Sequence, residues 1–119
     1  MIDKLDSLFE KQINLQTRLK NIPFDDLKHQ QEFINITILA CLDELAECLR
    51  ETAWKNPKLI NGGWKKHQEL NEDLFKEEII DLWHFVINLS IAAGMDQNEL
   101  YDRFCNKNKL NHKRQDKNY

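Results

Sequence analysis

The chain is expected to fold as an all-α, four-helix bundle-like subunit. Three observations predict this: only three Gly and two Pro occur in 119 residues, little of the sequence alternates with period two, and four stretches carry apolar residues at helical spacing between recognisable start and stop signals. The first helix is read over residues 2–20, where Ile2, Leu5, Leu8, Phe9, Ile13 and Leu19 recur near helical spacing and Pro23 punctuates the end. The second starts near Asp25 or Asp26 and runs to about Trp54, where Lys55-Asn56-Pro57-Lys58 stops it. A loop containing Pro57, Gly62 and Gly63 leads to a third helix capped by Asn71, with Glu72 and Asp73 in its first turn. It ends at Ala93, because Gly94 suits the left-handed residue that follows a helix. Asp96 with Glu99 three positions later forms a capping box for the fourth helix, which continues to about Gln115.

Bulk properties narrow the function classes. With 41% hydrophobic and 31% charged residues the chain reads as a single soluble domain, residues 1–119. A net charge of -3 gives no reason to expect nucleic acid as a partner, and no segment reaches about 18 uninterrupted apolar residues, so no membrane span is expected. The N-terminus lacks a signal-peptide core, which makes the expected location cytoplasmic. Cys41, Cys48 and Cys105 lack a secreted-scaffold spacing and read as reduced packing residues.

Two acidic pairs stand in otherwise oily stretches: Glu44 and Glu47 in the second helix, Glu78 and Asp81 in the third. An ionised carboxylate among apolar neighbours is costly unless a cation compensates it. At 100° per residue, Thr37, Ala40, Glu44, Glu47 and Glu51 fall within about 80° of one another, while Ile38, Leu42, Leu45 and Leu49 lie on another face. Glu78 and Asp81 share a seam with Leu74 and Phe85 on a helix that is apolar nearly all round. Two antiparallel helices would bring the seams together and aim four carboxylates at one point. Oxygen-only ligands suit Mg²⁺, with Mn²⁺ as a substitute, and Mg²⁺ commonly shares its shell with substrate phosphates. On these residues alone, a metal site and a polar seam at a subunit interface both remain open. Di-iron chemistry is disfavoured: the required Glu-x-x-His occurs nowhere, Asp81-x-x-His84 only approaches it with Asp for Glu, and His84 reads as a core or supporting histidine.

The tail is basic from Arg103 onward, and Lys107, Asn111 and Arg114 share one face at i, i+4 and i+7. That set is able to grip phosphate oxygens, and it equally fits a solvated basic helix end that offsets the helix dipole.

Glu44-x-x-Glu47, Glu77-Glu78-x-x-Asp81 and Lys107-Asn108-x-x-Asn111-x-x-Arg114-Gln115, in this order, resemble the all-α nucleotide pyrophosphatases, a superfamily that includes the MazG-like enzymes. The tail is most similar to that of the dimeric dUTP diphosphatases of phages and bacteria. The resemblance implies Mg²⁺-dependent hydrolysis of dUTP to dUMP and pyrophosphate, with dCTP or another dNTP as the alternative substrate. It implies Glu44, Glu47, Glu78 and Asp81 as metal ligands, Glu47 as the residue that orients or deprotonates the attacking water, and Lys107, Asn111 and Arg114 as phosphate ligands. In the family a Gln-x-x-Leu-Asn stretch on the first helix helps read uracil; here Gln12-x-x-Leu15 is followed by Gln16. Gln12, Gln16 and Trp54 are the base-binding candidates, with a helix-end packing role as the alternative for Trp54. The second and third helices are apolar on more faces than the other two can cover, which predicts an intertwined helical homodimer; the family is likewise dimeric or higher. A non-enzymatic helical interaction module is the remaining alternative.

Overall fold

The computed structural model describes residues 3–61 and 68–117. Among them are four α-helices and no strand: α1 (Lys4–Arg18), α2 (Leu27–Arg50), α3 (Glu72–Ala92) and α4 (Gln97–Asp116). The all-α expectation holds; the expected start of α1 at Ile2 lies outside the described residues.

Each helix starts with a side-chain oxygen accepting a backbone N–H that the helix itself cannot satisfy. Asp3 Oδ1 accepts from Leu5 and Asp6 at 2.9 and 3.1 Å, and Asp26 Oδ1 accepts from His29 at 2.8 Å. Asn71 Oδ1 accepts from Leu74 at 3.2 Å, and Asp96 Oδ1 accepts from Glu99 at 2.8 Å. α1 closes on Lys20 at φ 62°, with the Lys20 N–H bonded to Thr17 O and the Asn21 N–H to Gln16 O, each at 3.0 Å. α3 closes in the same way on Gly94 at φ 82°, through Gly94 N–H to Ile91 O and Met95 N–H to Ser90 O.

α2 stops at Arg50, four residues before the expected Trp54. The Thr52 hydroxyl donates to Leu49 O at 2.7 Å and its N–H to the same oxygen at 3.1 Å, so a tight turn takes over the last carbonyls. Two residues beyond Trp54, Asn56 precedes Pro57, a position that disfavours helical backbone.

Two compact units emerge: one made of the chain up to Phe24 and from Ser90 onward, the other of Asp25–Leu89. In the first, α1 packs on α4. A cavity of about 700 Å³ there is lined by Asp3, Lys4, Leu5, Asp6, Gln97 and Tyr101, none of them a candidate site residue. The second unit holds α2, most of α3 and the connection between them. There, the Asn71 N–H bonds Glu51 O at 2.9 Å, fastening the entry of α3 to the exit of α2.

Candidate metal centre

All four acids of the two seams lie in the second unit. Glu44 lies seven residues before Glu51, and Glu78 seven residues after Asn71. With about 1.5 Å of rise per residue, equal offsets from the Glu51–Asn71 bond set Glu44 and Glu78 level on antiparallel helices, about 10 Å from the tie. One carboxylate oxygen from each of Glu44, Glu47 and Glu78 lies within 4.8 Å of the others, and all three residues are half-buried. Asp81, one turn further along α3, is exposed and outside this trio. Its charge still acts on the trio, as one cause of the raised pKa values of Glu44 and Glu78.

Burial and the convergence of like charges make these carboxyls weaker acids. Burial, then the charge of Glu47, a hydrogen bond with Glu78 and the charges of Asp81 and Glu78 push the Glu44 carboxyl up to about 7. Glu78 is raised as well, first by its hydrogen bond with Glu47 and then by burial. The Oε2 atoms of Glu44 and Glu78 are buried and make no hydrogen bond. The ion pairs Lys28–Glu32, His29–Asp25 and Arg103–Glu99 all lie elsewhere. Two orphaned anionic oxygens amid converging carboxylates fit a cation. Oxygens about 2.1 Å from a shared Mg²⁺ lie roughly 3–4 Å apart, so modest side-chain movement closes this trio on an ion. A hard divalent ion suits the donor set. Cys48 is buried beside it, and burial followed by the charges of Glu78 and Glu44 raises its thiol, which keeps it protonated.

The other sequence candidates are placed as follows. Lys107, Asn111 and Arg114 are exposed on α4, which belongs to the first unit. Gln12 and Gln16 lie one turn apart on α1 and are 4% and 5% exposed. Asn21 Nδ2 donates to Gln16 Oε1 at 2.8 Å, an amide pair where a hydrophobic contact commonly accompanies this type of helix end. Trp54 is half-buried with the Lys55 ammonium 4.9 Å above its ring. His84 is exposed, not a core residue, because it leaves α3 on a side that the chain does not cover. One buried polar residue, Asn56, carried no sequence signal beyond that of a turn residue before proline.

A family model described as dUTPase matches residues 4–97. The dCTP pyrophosphatase of Enterobacteria phage T4 is 34% identical over 89 residues, which cover 69% of this chain and 52% of that protein, so the chain spans about half the length of that relative. The dCTP pyrophosphatase of Enterobacteria phage LZ5 is 31% identical over an alignment of 144 positions, covering 99% of this chain and 84% of that protein. No solved structure gives a significant match. A family match running from the start of α1 to the first turn of α4 takes in every acid of the cluster, and the chain belongs to the dUTPase family.

Proposed function

We propose that the chain is a Mg²⁺-dependent pyrophosphohydrolase of a pyrimidine deoxynucleoside triphosphate, releasing the monophosphate and pyrophosphate. The observation that carries this reading is the convergence of Glu44, Glu47 and Glu78 with two orphaned buried oxygens. The family description supports dUTP, and the two phage relatives, both named dCTP pyrophosphatase, support dCTP. Gln16 stands where the family's uracil-reading stretch has Asn, so that stretch does not decide between the two bases.

In this reading Glu44, Glu47 and Glu78 hold the metal and Asp81 reinforces the site. The ion supplies charge neutralisation at the phosphate oxygens and makes water a stronger nucleophile at neutral pH. Glu47 orients or deprotonates the attacking water. Lys107, Asn111 and Arg114 neutralise charge along the triphosphate, Arg114 through paired hydrogen bonds. Gln12, Gln16 and Trp54 contact the base. A panel of dNTPs incubated with Mg²⁺ is expected to yield pyrophosphate from dUTP, dCTP or both, with the ratio of kcat/KM values naming the preferred base. No pyrophosphate from any dNTP would sink the enzymatic reading.

The working unit is a homodimer. Among the described residues only Phe9, Cys48, Ile87 and Ala92 are buried apolar side chains. By contrast Ile38, Leu42, Leu45 and Leu49 stand 43–59% exposed along one face of α2, and Ile80 and Trp83 are more than half exposed on α3. A face of that size needs a cover, and a second copy of the same surface supplies one through two-fold symmetry. Light scattering is expected to give twice the 14.3 kDa chain mass, and Leu42→Asp with Leu45→Asp to shift it toward the monomer. A parent protein that runs only as a monomer overturns this assembly.

A further inference from the structure

The acid cluster depends on α2 and α3 holding one alignment, because shifting α3 by a single residue turns Glu78 by about 100°. Once its members are ionised the cluster cannot supply that alignment itself, because they are like charges. The connection between the helices can. Glu51 O accepts the Asn71 N–H at 2.9 Å, and Arg50 O accepts from Gln68 Nε2, so two carbonyls at the end of α2 are satisfied by residues that lead into α3.

Asn56 locks this arrangement. It is 5% exposed, and its Nδ2 donates to Gln68 O at 3.1 Å while its Oδ1 accepts the Lys58 N–H at 3.0 Å. Its own carbonyl accepts from Leu59 and Ile60 at 3.1 and 2.9 Å, and its N–H donates to Ala53 O at 3.0 Å. A buried amide with every group engaged holds one geometry, and each bond it loses leaves a polar group without a partner. The bond to Gln68 fixes the residue whose side chain grips Arg50. From there the alignment passes through Glu51 and Asn71 to Glu44 and Glu78.

We propose that Asn56 is a positioning residue for the metal centre, one that sets the α2–α3 alignment from outside the ligand set. This rests on reading the acid cluster as a metal site, and the test separates the two. Mn²⁺ binding to the full chain is measured by titration calorimetry for the parent, Glu78→Gln, Asn56→Asp and Gln68→Ala. Glu78→Gln is expected to lose binding; if it binds Mn²⁺ like the parent, the site reading itself fails.

Asn56→Asp keeps the acceptor for Lys58 but replaces the donor to Gln68 with an oxygen. It is expected to weaken Mn²⁺ binding by about tenfold or more, the effect typical of groups that orient metal ligands, with the helical circular dichroism unchanged. Saturating Mn²⁺ should then restore kcat, since the ligands are intact; a variant that is merely unfolded would not recover. Gln68→Ala, which removes only the grip on Arg50, should act in the same direction and carries the test if Asn56→Asp does not fold. Because both substitutions act through Gln68, the double variant is expected to fall short of the sum of the two. Parent-like Mn²⁺ affinity in the folded variants, or strict additivity, overturns the inference.

Discussion

Glu78→Gln is expected to abolish pyrophosphate release, with kcat/KM down by at least about a thousandfold, while making the metal-free protein more stable. The two outcomes share a cause. Glu78 brings a half-buried negative charge against Glu44 and Glu47, and its Oε2 has no hydrogen bond to offset that cost. The isosteric amide removes the charge and keeps the shape, so repulsion falls when no cation is present. In the proposed reading one of three converging ligands is then lost, and with it the ion that would promote attack on the triphosphate. The expected signature is a higher Tm than the parent in EDTA at pH 8, and no rise in Tm on adding Mg²⁺. A residue conserving only the fold would behave in the opposite way. Thermal scans of both proteins with and without metal check the stability half, and a pyrophosphate assay the other. Full activity in Glu78→Gln removes this residue from the site.

The second large effect is a dependence of metal-free stability on pH. Glu44 has an ordinary carboxyl value near 4.5, raised to about 7 in the folded chain. Between those values the folded state keeps a proton that the unfolded state has released, so stability falls as pH rises and levels off above about 7. The direction is opposite to that of a salt-bridged carboxylate. In EDTA, Tm is expected to decline from pH 5 to pH 7 and then flatten. Metal reverses the trend, since its ligands must be deprotonated: added Mn²⁺ should raise Tm strongly at pH 8 and hardly at pH 5. A metal concentration a hundredfold above Kd contributes about 2.7 kcal/mol. Proton release on binding, read by calorimetry in two buffers of different ionisation enthalpy, should be larger at pH 6.5 than at pH 8.5. A flat Tm profile in EDTA would show that Glu44 titrates normally.

Much of the fold was legible because helix ends are local events. Asp26, Asn71, Asp96 and Gly94 each act on neighbours within a few residues, and each does so where its pattern announced. The convergence of the two seams was legible too, because angular position on a helix follows from spacing alone. The alignment of α2 with α3 was not. It depends on bonds between Glu51 and Asn71 and between Asn56 and Gln68, pairs too distant in sequence to leave a periodic trace. The early stop of α2 rested on the Thr52 hydroxyl, a residue whose helix-ending role depends on which carbonyl it reaches. His84 shows a limit of projection: on a helix apolar nearly all round, angle does not say which side the chain leaves open. Asp81 was grouped with Glu78 by angle, yet reaches Glu44 and Glu78 through its charge from an exposed position one turn on.

The fastening of Glu51 to Asn71 has a consequence for how such a chain tolerates change in length. The distance that matters to the acids is counted outward from that bond along two rigid helices, and the residues between Asn56 and Gln68 do not enter it. Lengthening a connection between two fixed ends costs little, about 0.6 kcal/mol for each doubling. Insertions between Ile60 and Gln68 would therefore leave Glu44 opposite Glu78, whereas one residue added within α3 between Asn71 and Glu78 would swing the carboxylate away from its partners. Within one architecture, the connection is free to change in length while the spacing of the acids stays fixed.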